Sequence, residues 1–151
     1  MINSTAEFHA VIGMAVTAAI KEVLERAHKH LQLIIQRDVY GAYQPVDYHR
    51  SDALLKAWRK QVSTLDGSMW FDSGLLAGDG GAWQHHSEMP GYGSLGQELL
   101  NKIEEGYRGY NAKTGREIPS RPMWQNFMRD MEKNIDKWVR AALRRQGLPV
   151  I

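Results

Sequence analysis

The chain has 151 residues, no cysteine, 43% hydrophobic and 24% charged residues, and a formal net charge of +2. That length suits one domain spanning 1–151 with a core large enough to fold without staples. The lack of cysteine excludes disulfides, thiolate zinc and iron–sulfur ligation, and a cysteine nucleophile. A mean hydropathy of −0.46 and the absence of any apolar run of about 20 residues argue against a membrane span.

Chain order begins with a strong helical signal. Phe8, Ile12, Ala15, Val16, Ala19, Ile20, Val23, Ala27, Leu31, Ile34 and Ile35 recur at three- and four-residue steps, the stripe of an amphipathic helix. Ser4 followed by Glu7 fits a capping box. The spacing predicts a helix over 5–37, about 50 Å long, which needs a sheet or another subunit to cover its stripe. Nothing before it has the basic segment, apolar core and cleavage site of a signal peptide, so a cytoplasmic origin is expected.

Gly41 is placed to cap that helix and Pro45 to prevent its resumption. Tyr43 to Tyr48 reads as an ordered loop. Asp66-Gly67 is a two-residue hairpin signal between strand-forming residues, so a hairpin is expected at 57–65 and 68–73. Leu54, Leu55 and Trp58 equally permit a short helix over 51–57. Residues 74–96 carry seven of the fourteen glycines, and long loops of this kind are usually functional or mobile. Leu99, Leu100, Ile103 and Tyr107 predict a short helix over 95–107, and a polar loop runs from Asn111 to Ser120. Pro122 suits the first position of a last helix. Its stripe is Trp124, Phe127, Met128, Met131, Ile135, Trp138, Val139 and Ala142, with Gly147 and Pro149 as the stop.

The candidates for chemistry are sparse. His28 and His30 lie about 200° apart around a helix and cannot share a metal. His85, His86 and Glu88 sit together in the glycine-rich loop, but without the i,i+4 helical spacing of a zinc site. Glu104 and Glu105 diverge by about 100° and do not converge on one substrate atom. No nucleophile elbow, P-loop or dinucleotide fingerprint is present. Charge is uneven: Arg121 to Gly147 holds seven basic residues against three acidic ones, or +4, which leaves −2 for the remainder. Lys133, Lys137, Arg140 and Arg144 share one helical face. Such a face is either solvated, complementing the helix C-terminus, or a stripe for backbone phosphates. Trp124 and Trp138 belong to the apolar stripe, whereas Trp83 stands in the loop as a candidate contact for another subunit.

Tyr40, Tyr43, Pro45, Tyr48 and Arg50, followed by Leu54-Leu55, resemble the post-helix signature of the neck proteins of tailed phages and prophages, the tail-completion and tail-terminator-like minor structural proteins. Leu100, Ile103, Glu104 and Gly106, then Arg121-Pro122 with Phe127-Met128, resemble that family's second half. The resemblance implies an α+β fold: long N-terminal and C-terminal helices packed on a small antiparallel sheet, with a long glycine-rich loop. It implies a non-enzymatic virion structural protein without cofactor or metal. Such a protein forms a ring, often six-fold, at the head–tail junction and meets head connector and tail-tube proteins after assembly in the host cytoplasm. On that reading Tyr43, Pro45, Tyr48 and Arg50 fix the turn after the long helix, and Arg121 and Pro122 start the last one. Trp83, His85, His86 and Tyr92 lie on an assembly loop, and Lys133, Lys137, Arg140 and Arg144 face passing DNA. The rival readings are a nucleic-acid-binding accessory protein using the basic helix, and a small metal-dependent hydrolase using His85, His86 and Glu88.

Overall fold

A computed structural model describes residues 4–42, 52–72, 75, 100–101, 103–108 and 117–150. Ser4 stands in extended backbone and its hydroxyl accepts the Glu7 N–H at 3.1 Å. This cap satisfies one donor that the first turn cannot pair internally. Helix α1 follows over Thr5–Ile34 and passes without a break into a π-helical turn, Ile35–Tyr40. The helical run thus reaches three residues beyond the expected end at 37. Gly41 closes it by donating its N–H to the Gln36 carbonyl at 2.7 Å. Its φ of −70° is open to any residue, so glycine is required here for a different reason than left-handed capping. A Cβ would lie 2.7 Å from the Arg37 carbonyl oxygen.

Both readings of 51–65 contribute. A one-turn helix α2 (Ala53–Lys56) leads into strand β1 (Trp58–Val62), which pairs antiparallel with β2 (Gly67–Phe71). The register sets Trp58 opposite Phe71 and Val62 opposite Gly67. Asp66-Gly67 therefore ends the turn and does not form its centre; four residues, 63–66, make the loop. The close approach of α1 explains why Gly67 carries no side chain, since a Cβ there would meet the Ile20 side chain at 2.7 Å. The Asn111–Ser120 stretch is not all loop. β3 (Tyr107–Arg108) and β4 (Glu117–Ile118) form a second antiparallel pair, too short to leave a periodic signal.

Helix α3 covers Met123–Arg145. Pro122 sits one position before its first turn, and its carbonyl accepts the Asn126 N–H at 2.9 Å. The stop at Gly147 is as expected. Gly147, at φ +78°, donates to the Arg144 carbonyl, and the Leu148 N–H reaches Leu143 at 3.1 Å, the paired bonds of a Schellman motif.

α3 runs antiparallel to α1. Asn126 donates to Asp38, His30 meets Asp130, the Arg26 guanidinium lies 4.4 Å over the Trp138 ring, and Arg145 pairs with Glu22. The core sits where both helices and the hairpin meet. It holds Ala27, Leu31, Ile34, Ile35 and Val39 of the first helical run, Leu54, Ala57 and Trp58, and Met123, Phe127 and Trp138 of α3. Met128 and Val139, expected in the buried stripe, are 41% and 37% exposed. The apolar arc of α3 is wider than the surface α1 offers it.

This packing covers only part of α1. The buried positions of α1 begin at Ala19. α3 ends beside Glu22, and the hairpin turn meets Thr17, whose hydroxyl donates to the Thr64 carbonyl. Ahead of these contacts, residues 5–11 are all exposed and, among the described residues, form a helical arm.

Candidate functional site

Among the described residues a concave surface lies where the hairpin meets the start of α3. Trp58 begins β1 with its side chain turned inward, 6% exposed. Its ring stacks on Trp124 at 5.1 Å with 10° between planes and meets Phe71, its cross-strand partner, at 5.2 Å. Trp124 continues the series to Phe127 at 5.2 Å. A cavity of about 390 Å³ opens beside these rings, with Met69, Trp70, Leu100 and Glu104 in its wall.

Glu104 has a structural task that spacing alone does not reveal. Its Oε1 accepts the Trp124 N–H at 2.6 Å, which makes it a cap for α3 supplied from a distant segment. Two further bonds clamp the same junction: Arg121 N–H donates to the Ile103 carbonyl at 2.7 Å, and the Ser120 hydroxyl donates to the Glu104 carbonyl. Burial raises the Glu104 pKa, opposed by hydrogen bonds from the Trp124 and Gln125 backbone. The expected start of the last helix at Arg121-Pro122 is thus a fastened joint. Glu104→Ala is expected to cost about 1 kcal/mol, the usual loss for a helix cap. Glu104→Gln keeps an acceptor oxygen and should cost less; urea midpoints of the two variants measure the difference.

His28 and His30 turn to different partners. His30 Nε2 lies 3.1 Å from Asp130 Oδ2, and its ring meets Trp138 edge-on at 5.9 Å. His28 faces the hairpin. Burial lowers its pKa, and Lys60 adds repulsion, against the Trp58 backbone hydrogen bond and Glu25. The unfolded chain takes up this proton near the ordinary value of 6.5, which the folded chain resists. Stability is therefore full above that pH and falls as pH drops through it. Glu104 acts in the opposite sense: its raised pKa favours the folded state at low pH, and that contribution is lost as pH rises through the folded value. Melting temperatures taken between about pH 7.5 and 5.5 should fall in the wild type and fall less in His28→Gln, because His28 titrates in that window.

Asp38 is a further tie. The Arg37 guanidinium holds its carboxyl below the usual range, and the Asn126 amide, 2.8 Å away, does so further.

Lys133, Lys137, Arg140 and Arg144 are all exposed on α3. Arg140 pairs with Asp136 at 2.8 Å, and Arg144 reaches the Val150 carbonyl at 3.4 Å. Their face is set apart from the one that packs on α1. Trp83, His85, His86, Glu88 and Tyr92 lie outside the described residues, as do Tyr43, Pro45, Tyr48 and Arg50. Among the described residues no group of three or more His, Asp or Glu is placed to hold a metal ion. Nor is any helix among them long and apolar enough to cross a membrane.

The molecule is therefore a mostly helical α+β protein, as expected, in which two long antiparallel helices grip a small aromatic-rich hairpin. It belongs to the YomN family, whose model matches residues 5–145. The family is prophage-derived, its namesake coming from a Bacillus prophage, and this points to a phage-associated protein. No curated protein and no solved structure matches it.

Proposed function

We propose that this protein is a virion structural component of the head–tail junction that completes or joins the tail. It assembles as a ring, six-fold in the simplest form, and catalyses no reaction. Its partners are its own copies, the head connector and the tail-tube proteins. It acts in the virion after assembly in the host cytoplasm. The observation that carries this reading is membership of a prophage-derived family over residues 5–145, together with the aromatic-proline and Arg-Pro signatures in the sequence. Exposed apolar side chains on two elements give it surfaces for neighbours in the ring: Trp70 on β2, and Met128 and Val139 on α3. A ring uses such surfaces in unlike pairs that close on themselves. Native mass spectrometry of the protein with its neighbouring neck proteins should reveal a closed oligomer. A monomer in every such mixture argues against the proposal.

Contact with DNA passing through the ring is a second element, favoured by the exposure of all four basic residues of the α3 stripe. Such contact addresses phosphates and reads no sequence.

A further inference from the structure

The N-terminal arm of α1 carries a pattern that neither the core nor the hairpin uses. Glu7, Val11, Met14, Ala18 and Lys21 follow at alternating steps of four and three residues, the spacing of a coiled-coil seam. All five are exposed, Val11 at 45% and Met14 at 66%. Between Glu7 and Lys21 there is no Asp, Glu, Lys or Arg on any side of the helix. A helix that is uncharged all round ordinarily lies against a partner. Among the described residues, neither the core nor α3 supplies one on the N-terminal side of Ala19.

The arrangement of charge indicates what that partner is. Glu7 and Lys21 stand seven residues to either side of Met14, so all three share one helix face. Two arms crossing antiparallel at Met14 bring Glu7 of each beside Lys21 of the other, and Val11, Met14 and Ala18 fill the space between. A parallel pair sets like charge against like at both ends. In register, the seam is self-complementary under a two-fold axis perpendicular to the helices.

We propose that the N-terminal arm of α1 is a dimerisation element that pairs antiparallel with the arm of a second copy of this chain, with the two-fold axis passing beside Met14. The contact runs along about 21 Å of helix. That is smaller than a standard interface, so the pairing is weak and concentration-dependent. A two-fold contact cannot close a ring. It pairs subunits in solution or joins two rings face to face, and it is independent of the head–tail reading.

The absence of native cysteine makes a direct test available. In Met14→Cys, the single thiol of each chain lies at the axis, so mild oxidation should give a disulfide-linked dimer. A thiol placed instead at exposed Leu65 on the hairpin turn should give none. Sedimentation velocity should show the wild type self-associating. Lys21→Glu should weaken that association at least about tenfold by setting like charges together, and the exchange Glu7→Lys with Lys21→Glu should restore it. Circular dichroism monitors the fold, which a change at exposed Lys21 leaves intact. Equal cross-linking at positions 14 and 65, or association unaffected by Lys21→Glu, overturns the proposal. So does a wild type that stays monomeric at all concentrations, even where a ring forms through other surfaces.

Discussion

Replacing Trp58 with Ala is expected to cost about 3–5 kcal/mol, the range for removing a buried large aromatic side chain. The size of the effect follows from what the ring joins. Trp58 lies in the core cluster between the first helical run and α3, stacks on Trp124, and meets Phe71 across the hairpin. Truncation leaves a void open to three elements at once, and an isolated two-stranded hairpin has little stability of its own. Against a typical total of about 5–15 kcal/mol, such a loss brings the fold near its limit. Trp58→Phe should cost less than half as much. It keeps an aromatic face for Trp124 and removes an indole N–H that is buried without a hydrogen-bond partner among the described residues, a group that is itself costly to bury. Chemical denaturation of both variants, with intrinsic fluorescence as the readout, tests the ordering.

The second large effect concerns DNA. If Lys133, Lys137, Arg140 and Arg144 each neutralise one phosphate, binding should vary with salt at a log–log slope of about −3.6. A fourfold rise in salt, from 50 to 200 mM, then weakens binding about 150-fold. Reversing all four to Glu should abolish binding. The melting temperature should change little, because every one of these side chains is exposed and surface charges contribute little to stability. The Asp136–Arg140 pair is worth only a few tenths of a kcal/mol. Fluorescence anisotropy with a labelled duplex of random sequence is sufficient. A shallow slope, or binding that survives the reversal, removes DNA contact from the function of this face.

The long elements were legible because each repeats its signal many times. α1 declares itself through a stripe of eleven apolar positions and a capping pair at Ser4 and Glu7, and α3 through its stripe and the stop at Gly147. Both ends hold in the structure, with the Ser4 cap and the Schellman bonds in place. Features that depend on a distant partner were not legible. Asp66-Gly67 marks a turn, but the four-residue loop is set by the packing of the hairpin on Thr17 and Ile20. The β3–β4 pair is two residues long on each side, so no alternation can show. Glu104 reads only as one of two diverging carboxylates, because the N–H it caps lies twenty residues away. Met128 and Val139 continue the apolar period of α3 yet remain exposed, since periodicity reports which residues are apolar and not how much of that arc a partner covers. The same reasoning applies to the α1 arm: its apolar period runs on to Phe8, which is 48% exposed, while the buried positions of α1 begin only at Ala19.

The head–tail reading is tested most directly in the prophage itself. Deleting this gene and inducing the lysogen should yield, by electron microscopy, DNA-filled heads and separate tails in place of joined virions, with infectious titre recovered when the gene is supplied in trans. Normal joined particles from the deletion strain would contradict the assignment.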